Sequence, residues 1–425
     1  MTSSTTTAAP PPTGELPPTT AALPATMRAW QFTSTHHGLE KNLHLNDAAP
    51  LPPHDAKTLG KDKVLVQVLA AAVNPVDYKL AEMPVVGRML IKTPSSPGLD
   101  FAGRVVAVGP PSSLPPPPQP SSSFPSSGFA DDLKIGQLVF GRLDQPTQFG
   151  TLAEYTLAPR NGLALVPEGV AVRDAACIGT AGLTAYKAIV PNVQHLASGS
   201  SSGGKKPSVF VNGGSGGTGV WSIQIAKALG CHVVATCSGR NVELCKSLGA
   251  DEVVDYTKGD VVGVLRKMAT SPETTTNTNT TTTTTTTTTT GGGPSKTEKF
   301  DLIVDNVGTS DALYWQAHHF TTPKAKYVQV GAGMSLHATL QTAMKMLWPG
   351  FLGGGRRKFH MMMVANDAAA PAQFAELGGW LAQGKMRAVV DEVVRFEDAP
   401  RAFEKLKTGR ARGKIVVDVA QSVTK

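Results

Sequence analysis

The segment from Val209 to Arg240, VFVNGGSGGTGVWSIQIAKALGCHVVATCSGR, constrains the fold more than any other part of the chain. A β-branched apolar run is followed by clustered glycines, then by a helical pattern, then by a second β-branched run. Strand, tight turn, helix and strand in this order form a parallel βαβ unit, which requires a sheet covered by helices. Gly214-x-Gly216-x-x-Gly219 stands where a dinucleotide-binding loop needs its glycines.

The glycine turn is compatible with two kinds of site. Gly213 to Gly217 also satisfies the GxSxG pattern of a serine hydrolase, with Ser215 as nucleophile and Asp305 and His360 as candidate partners. A dinucleotide loop instead uses backbone amides at a helix N-terminus to bind a diphosphate. Both interpretations require a strand, a turn and a helix. Only the second also explains the sequence that continues from the turn to Asn241. The sequence therefore favours cofactor binding.

The end of the second strand indicates which dinucleotide is bound. NAD enzymes commonly carry Asp or Glu there, which accepts a hydrogen bond from the ribose 2′-hydroxyl. This chain has Cys237-Ser238-Gly239-Arg240-Asn241 and no acid. A hydroxyl and a guanidinium suit a 2′-phosphate, because Arg forms charge-assisted bonds to phosphate oxygens. The sequence predicts NADPH, with an exposed arginine at a helix start as the alternative interpretation of Arg240.

Strand and helix patterns divide the chain into two parts. Runs such as KVLVQVLAAAVN and FAGRVVAVG predict an all-β domain over 27–167. Over 168–366 strands alternate with helices, which predicts a doubly wound parallel sheet. Residues 367–425 are expected to rejoin the β domain. Segments rich in Thr, Pro, Ser or Gly are predicted to be disordered, namely 1–26, 110–127 and 271–294.

Charge and cysteine content exclude several classes of protein. The net charge of +8 is spread without the basic cluster that a nucleic-acid surface requires, so no nucleic-acid partner is expected. No segment is long and apolar enough for an integral membrane span, and the N-terminus lacks a secretory pattern. A cytoplasmic location is expected, with a mitochondrial one as the alternative. The four cysteines form no CxxC pair and are expected to be small, buried and reduced: Cys177, Cys231, Cys237 and Cys245.

Several blocks in a common order resemble the zinc-independent quinone-reductase branch of the medium-chain dehydrogenase/reductase superfamily, the zeta-crystallin-like proteins. They include AAVNPVDYKL, PGLDFAGRVVAVG, GTAGLTAYKAI, VNGGSGGTGVWSIQIAKALG and ARGKIVVDV, and extend from about Met27 to Ala420. The ATCSGRN block is similar to that of fungal trans-acting enoyl reductases of polyketide synthesis. The resemblance implies an α/β fold with a GroES-like β domain and a Rossmann domain. It also implies frequent dimers, so a homodimer is one option.

The residues exclude a catalytic zinc. The zinc alcohol dehydrogenases place a Cys ligand where AAVNPVD has Asn74, and no cysteine precedes Cys177. Without soft ligands in the β domain, a zinc site of that kind cannot form. His318 and His319 have no carboxylate or Cys partners at ligand spacing and are expected to be surface or packing residues.

The resemblance also implies roles for individual residues. The loop Asn74-Pro75-Val76-Asp77-Tyr78-Lys79 is expected to face the nicotinamide, with Asn74, Tyr78 and Lys79 as the catalytic candidates. A turn cap at Asn74 and a helix N-cap at Asp77 are the structural alternatives. Lys414 is expected either near the cofactor or in solvent. The cofactor-binding candidates are Thr184, Gly214, Ser215, Gly216, Gly217, Thr218, Gly219, Ser238, Arg240, Asn241, Tyr256, Asn306, Val307, Gly331 and Ala332.

These observations predict an NADPH-dependent, zinc-free oxidoreductase that transfers hydride to a small-molecule quinone or to an activated enone or enal. A trans-acting enoyl reductase of polyketide synthesis and a non-catalytic NADPH-binding protein are the alternatives. Some enoyl reductases of this branch carry a Tyr-Gly pair where this chain has LAEMPVVGRML, which contains no tyrosine. The identity of the proton donor is therefore open at this point.

Overall fold

The computed structural model describes residues 23–55, 58–83, 86–112, 133–198, 206–270, 299–331, 333, 336–348, 352 and 354–419. The segments predicted to be disordered lie outside these residues, except for 23–26 and 110–112. Within the described part, no helix combines the length and the apolar character needed to cross a bilayer.

The first part of the chain is mainly antiparallel β-structure. Strands β1 (Thr26–Gln31) and β2 (His44–Pro50) pair with each other. A larger sheet contains β3 (Lys63–Val73), β4 (Asp100–Val108), β5 (Leu138–Arg142), β6 (Tyr155–Pro159) and β7 (Leu163–Leu165). Two short helices connect β3 to β4: α1 (Pro75–Glu82) and α2 (Val86–Leu90). Strand β3 pairs with β4 on one edge and with β6 on the other, and its side chains are buried because apolar clusters cover both of its faces.

The next part alternates strands with helices. Its helices are α3 (Val172–Ala176), α4 (Gly179–Ser198), α5 (Gly217–Ala228), α6 (Val242–Ser247), α7 (Val261–Thr270), α8 (Asp311–Trp315) and α9 (Leu336–Leu347). Its strands are β8 (Ser208–Asn212), β9 (His232–Cys237), β10 (Glu252–Asp255), β11 (Phe300–Asp305), β12 (Thr321–Gln329) and β13 (Lys358–Met361). They form a parallel sheet in the order β10-β9-β8-β11-β12-β13. Chain order reverses beside β8, as in a doubly wound sheet.

The last part of the chain returns to the first sheet. It contains α10 (Ala370–Ala382), β14 (Val390–Arg395), α11 (Pro400–Lys407) and β15 (Lys414–Asp418). Strand β15 pairs antiparallel with β3, which completes the order β14-β15-β3-β4-β5-β7. The predicted α/β class, a β domain beside a doubly wound parallel sheet, is confirmed.

One continuous apolar cluster joins the two sheets. It includes Phe140 from the β domain, Trp221 from α5 and Phe374 from α10, all fully buried. The rings of Phe140 and Phe374 meet edge to face with their centroids 6.0 Å apart. Helix α5 is buried from Gly219 to Ala226 because it lies between the parallel sheet and α4. This packing sets the carboxyl edge of the parallel sheet against the β domain.

Candidate active site

A cavity of about 1050 Å³ lies between the parallel sheet and the β domain. Its walls come from the glycine turn, from the carboxyl ends of β9 and β11, from the start of α1 and from the segment between α11 and β15. Ligands of open parallel sheets bind outside the carboxyl ends of the strands, where chain order reverses. The volume suits a ligand of dinucleotide size.

The glycine turn has the geometry of a diphosphate cradle. Gly213 has φ +78°, a left-handed conformation that favours glycine. A Cβ atom on Gly219 would lie 2.1 Å from the carbonyl oxygen of Gly213, so a side chain there cannot coexist with the turn. Helix α5 begins after Gly216, which provides no side-chain cap. The first amides of α5 therefore face the cavity with the positive end of the helix dipole, ready for an anion.

Two asparagines on the cavity wall have buried amide atoms without a hydrogen-bond partner in the described structure. Both side-chain atoms of Asn306 are in this state, and so is the Oδ1 atom of Asn241. The Nδ2 atom of Asn241 donates to the hydroxyls of Ser215 and Ser238 at 3.0 and 3.3 Å. Buried polar groups normally have partners. These asparagines therefore fit a polar ligand such as a dinucleotide, and both were predicted from the sequence.

The residues predicted for the 2′-phosphate lie together at the end of β9. Ser238, Arg240 and Tyr256 all line the cavity, and the side chains of Arg240 and Tyr256 are exposed. Among the described residues that line the cavity, the single carboxylate belongs to Asp260. That carboxylate accepts the backbone amides of Val262 and Gly263 at 3.0 and 2.9 Å, which occupies it at the start of α7. The exposed guanidinium of Arg240 provides a positive charge at this end of the cavity.

The carboxamide of Asn74 belongs to a buried polar network at the opposite end of the cavity. Its Nδ2 atom donates to the carboxylate of Asp100 at 2.8 Å and to the carbonyl of Ala72 at 3.2 Å. Its Oδ1 atom accepts from the ammonium of Lys414. Asn74 is 5% exposed and lines the cavity. Asn74 also N-caps α1 in a capping box, in which its side chain accepts the backbone amide of Asp77. Both amide hydrogens and the carboxamide oxygen therefore have partners within the protein.

The structure corrects the expectation that Asp77 could N-cap the following helix. Asn74 is the N-cap of α1, and the Asp77 carboxylate reaches back to accept the Asn74 backbone amide at 2.7 Å. Asp77 is buried and its Oδ1 atom has no partner in the described structure. Burial, with the nearby charge of Asp100, raises the pKa of Asp77 to about 7.

Tyr78 and Lys79 are half-buried and both line the cavity. Burial raises the pKa of Tyr78, and the ammonium of Lys407 lies 5.0 Å from the centre of its ring. Burial lowers the pKa of Lys79. A raised pKa makes the phenol a weaker acid, whereas a lowered pKa makes the ammonium a stronger one. Burial thus opposes loss of a proton from Tyr78 and favours it from Lys79.

Some predicted residues do not line the cavity. The hydroxyl of Thr184 donates to the Thr180 carbonyl at 2.6 Å inside α4. Gly214 packs towards Ala235 and Ile223, where a Cβ atom would meet their side chains at 2.9 and 3.0 Å. Gly331 lies beside the chain after β11 without lining the cavity, and Ala332 lies outside the described residues. The other cofactor-binding candidates line the cavity: Ser215, Gly216, Gly217, Thr218, Gly219, Ser238, Arg240, Asn241, Tyr256, Asn306 and Val307.

Sequence reasoning missed several cavity residues on the segment that precedes β15. Lys407 and Arg410 line the cavity there, and Lys414 is 2% exposed, so the expectation that Lys414 could be solvated is wrong. Lys407 bridges the carboxylates of Glu40 and Glu82. These residues follow β14 in a tail whose return to β3 places them opposite the glycine turn. The basic run KLKTGRARGK indicates a cluster of positive charge, but no local pattern predicts that this cluster lies opposite the glycine turn.

The hydrolase interpretation of the glycine turn finds no catalytic set. The Ser215 hydroxyl accepts from Asn241, and Asp305 is held by Tyr327 and Asn212. His360 is exposed on β13. No contact among the described residues joins Ser215 to a histidine.

Metal ligands are not assembled in the part of the chain that the structure describes, where no group of three or more His, Cys, Asp or Glu could hold an ion. The four cysteines are free and buried, as expected. Asn74 stands where the zinc alcohol dehydrogenases have a Cys ligand, and its side chain forms hydrogen bonds with Lys414 and Asp100.

A parallel sheet with a glycine cradle, set against a β domain whose polar loop closes the cavity, defines a pyridine-nucleotide oxidoreductase. Residues 60–168 match the family model described as the alcohol dehydrogenase GroES-like domain, and residues 248–417 match the one described as zinc-binding dehydrogenase. The chain belongs to the zinc-independent branch of the medium-chain dehydrogenase/reductase superfamily.

Three relatives illustrate the similarity. The trans-enoyl reductase pgmF of Aspergillus terreus (strain NIH 2624 / FGSC A1156) is 47% identical over 405 residues, which is 95% of this chain and 99% of that protein. The 2-methylene-furan-3-one reductase of Solanum lycopersicum is 30% identical over 93% of this chain and 80% of its own length. The solved quinone oxidoreductase of Coxiella burnetii superposes with a TM-score of 0.65 at 24% identity, covering 92% of this chain and 99% of that one. These relatives confirm the predicted oxidoreductase function, and the trans-enoyl reductase matches one of the alternatives stated for it.

Proposed function

We propose that this protein is an NADPH-dependent reductase of carbon–carbon double bonds conjugated to a carbonyl group, and that its substrates are enoyl thioesters. The observation that carries the proposal is a single cavity with a diphosphate cradle on one wall and the half-buried side chain of Lys79 on the other. Burial lowers the pKa of the Lys79 ammonium. The relative with 47% identity, named a trans-enoyl reductase, supports the thioester class.

Reduction of a conjugated double bond needs one hydride and one proton. When bound, the reduced nicotinamide supplies the hydride to the β-carbon of the substrate, which leaves negative charge on the α-carbon and the carbonyl oxygen. The Lys79 ammonium gives its proton to the α-carbon and becomes a neutral amine, which solvent reprotonates. Tyr78 and Lys79 both line the cavity, so each is available to a substrate bound there.

The preference for NADPH over NADH is supported by the charge at the end of β9. The exposed guanidinium of Arg240 and the hydroxyl of Ser238 lie together there, and Cys237, the last residue of β9, is not acidic. A 2′-phosphate would form charge-assisted hydrogen bonds with this pair, whereas a 2′-hydroxyl would leave the guanidinium without a ligand anion.

The test is turnover of the purified full-length chain with NADPH and three acceptors. These are a 2-enoyl thioester of N-acetylcysteamine, an enal and an ortho-quinone such as phenanthrenequinone, each followed by loss of NADPH absorbance. We expect the thioester to give the highest kcat/KM. With NADPH deuterated at C4 in ordinary water, the label should appear at the β-carbon of the product. With ordinary NADPH in heavy water, deuterium should appear at the α-carbon.

Quinone reduction is the second candidate. It is favoured by the absence of a tyrosine in LAEMPVVGRML, because a quinone takes its protons on oxygen from solvent and needs no donor aimed at carbon. Turnover of the quinone alone would support this candidate against the first. Saturable NADPH binding with no turnover of any acceptor would instead favour a non-catalytic binding protein.

A further inference from the structure

Lys414 is a buried cation whose three N–H groups are all engaged. Its Nζ atom donates to the Asn74 carboxamide oxygen and to the carbonyl of Val73 at 3.1 Å, and it contacts Asp100 Oδ2 at 3.3 Å. The side chain is 2% exposed, yet the residue lines the cavity. Because an ammonium has three hydrogens and no acceptor, Lys414 has none left to give to a substrate. It is not a proton donor.

The carboxylate that balances Lys414 connects the two sheets. Asp100, at the start of β4, is fully buried. Besides Asn74 and Lys414, it accepts the backbone amide and the hydroxyl of Thr180 at 2.7 and 2.6 Å. Thr180 lies in the first turn of α4, which packs on the parallel sheet through α5. The Lys414–Asp100 pair is thus satisfied on both sides, as a buried ion pair must be.

These two charges determine which way the Asn74 carboxamide points. Lys414 can only donate, so it selects the carboxamide oxygen, and the Asp100 carboxylate can only accept, so it selects the nitrogen. The 180° alternative would place the nitrogen against an ammonium and the oxygen against a carboxylate. Asn74 therefore keeps one orientation at the cavity wall.

Lys414 also lies beside the glycine turn. A Cβ atom on Gly217, the first residue of α5, would lie 3.4 Å from Cδ of Lys414. The preceding residue, Gly413, donates its amide to the Ser215 carbonyl at 2.9 Å. The start of β15 therefore holds the Asn74 loop and the glycine turn at a set distance from each other.

We propose that Lys414 is a positioning residue for hydride transfer: bound to Asp100, its ammonium orients the Asn74 carboxamide and sets the distance between the Asn74 loop and the glycine turn. Held in this orientation, the Asn74 carboxamide forms a fixed part of the cavity wall, against which the nicotinamide nucleoside and the substrate are aligned. The inference rests on the proposed function, since it concerns how that reaction is aligned.

Lys414→Met tests the role, because it keeps the length of the side chain and removes the charge. We expect kcat to fall roughly 10- to 100-fold, as for loss of other orienting partners, with the Kd for NADPH changed by less than about 3-fold. The primary isotope effect with NADPH deuterated at C4 should increase, because misalignment makes hydride transfer more rate-limiting. Asn74→Ala should cause a similar loss, and the double variant Lys414→Met/Asn74→Ala should be no slower than either single variant.

Lys414→Met leaves the Asp100 carboxylate buried without its cation, which could impair folding by itself. The variant Lys414→Met/Asp100→Asn removes both charges and keeps a neutral, folded site. We expect it to bind NADPH and to remain slow. Recovery of wild-type kcat in this variant would show that Lys414 only neutralises Asp100. That result would overturn this inference and leave the proposed function standing. A wild-type protein that reduces none of the acceptors would overturn the proposed function and this inference with it.

Discussion

The hydroxyl of Tyr327 on β12 donates a 2.6 Å hydrogen bond to the buried carboxylate of Asp305 at the end of β11. The other carboxylate oxygen accepts the side chain of Asn212 on β8 at 2.8 Å and the backbone amides of Val307 and Gly308 at 3.1 and 2.9 Å. One carboxylate thereby joins three neighbouring strands at the edge that holds the cavity, and it shapes the turn after β11.

Tyr327→Phe should lower the free energy of unfolding by about 1–3 kcal/mol, because it leaves a buried carboxylate oxygen without its donor. Urea denaturation followed by fluorescence measures this loss. Tyr314→Phe is the matched control: its hydroxyl reaches only backbone carbonyls, of Arg357 at 3.1 Å and Lys345 at 3.4 Å, so the loss should be smaller. Equal losses in the two variants would show that the hydrogen bond to Asp305 stabilises the fold no more than a hydrogen bond to a backbone carbonyl does.

Gly219→Ala should disrupt the cradle, because the added methyl would lie 2.1 Å from the Gly213 carbonyl oxygen. We expect a stability loss of about 1–3 kcal/mol from overpacking and no measurable nucleotide binding by calorimetry. Gly182→Ala is the control for overpacking away from the cradle, since its added methyl would lie 2.9 Å from Cγ2 of Ile178. If Gly219→Ala bound NADPH as tightly as Gly182→Ala, the diphosphate would have to lie elsewhere.

The βαβ unit and the cradle could be predicted because their determinants are local. Gly214, Gly216 and Gly219 are spaced by the turn itself, and the β-branched runs on either side set the strands. Asn241 and Asn306 could be placed for a similar reason. Asn306 directly follows β11, Asn241 ends the short 3₁₀ turn (Gly239–Asn241) after β9, and the ends of these strands meet at one edge of the sheet.

The Lys414 network could not be predicted because its members come from distant parts of the chain. Asn74, Asp100, Thr180 and Lys414 meet only after β15 pairs with β3 and α4 packs beside β4. Nothing in GRARGK distinguishes a buried lysine from a solvated one. The motif around Thr184 is equally uninformative about its surroundings: its hydroxyl donates to the Thr180 carbonyl inside α4, and Thr184 is not among the described residues that line the cavity.

Arg240→Ala should weaken NADPH binding by about 1.5–3 kcal/mol, roughly 10- to 150-fold in Kd, and leave NADH binding nearly unchanged, because only NADPH has a 2′-phosphate. Fluorescence titration with both nucleotides measures this. Arg410→Ala is the comparison, since Arg410 is also an exposed arginine on the cavity wall but on the segment opposite the glycine turn. It should not discriminate between the nucleotides. Equal weakening of both nucleotides by Arg240→Ala would contradict the assignment.

Asp77 should make the protein less stable as the pH rises from about 4 to 7. Burial and Asp100 raise the pKa of Asp77 from 3.8 to about 7, so between these values the folded state holds a proton that the unfolded state has lost. Its contribution to the free energy of unfolding then falls by up to about 1.4 kcal/mol per pH unit. Asp77→Asn should remove this slope in urea denaturation measured across that range, whereas Asp62→Asn, at an exposed site, should retain it. An unchanged slope in Asp77→Asn would assign the pH dependence to another group.

Lys79 should set the alkaline limb of the pH–rate profile. The proton donor must be charged to act, and burial lowers the pKa of Lys79, so kcat should fall as the pH rises through that lowered value. Lys79→Gln should reduce kcat for an enoyl thioester by roughly 10²- to 10⁴-fold and abolish the alkaline limb, while quinone reduction, which takes its protons from solvent, is much less affected. Tyr78→Phe should retain both the rate and the limb, because the raised pKa of the Tyr78 phenol makes it the weaker acid. A profile in which Tyr78→Phe loses the limb and Lys79→Gln keeps it would transfer the donor role to the phenol.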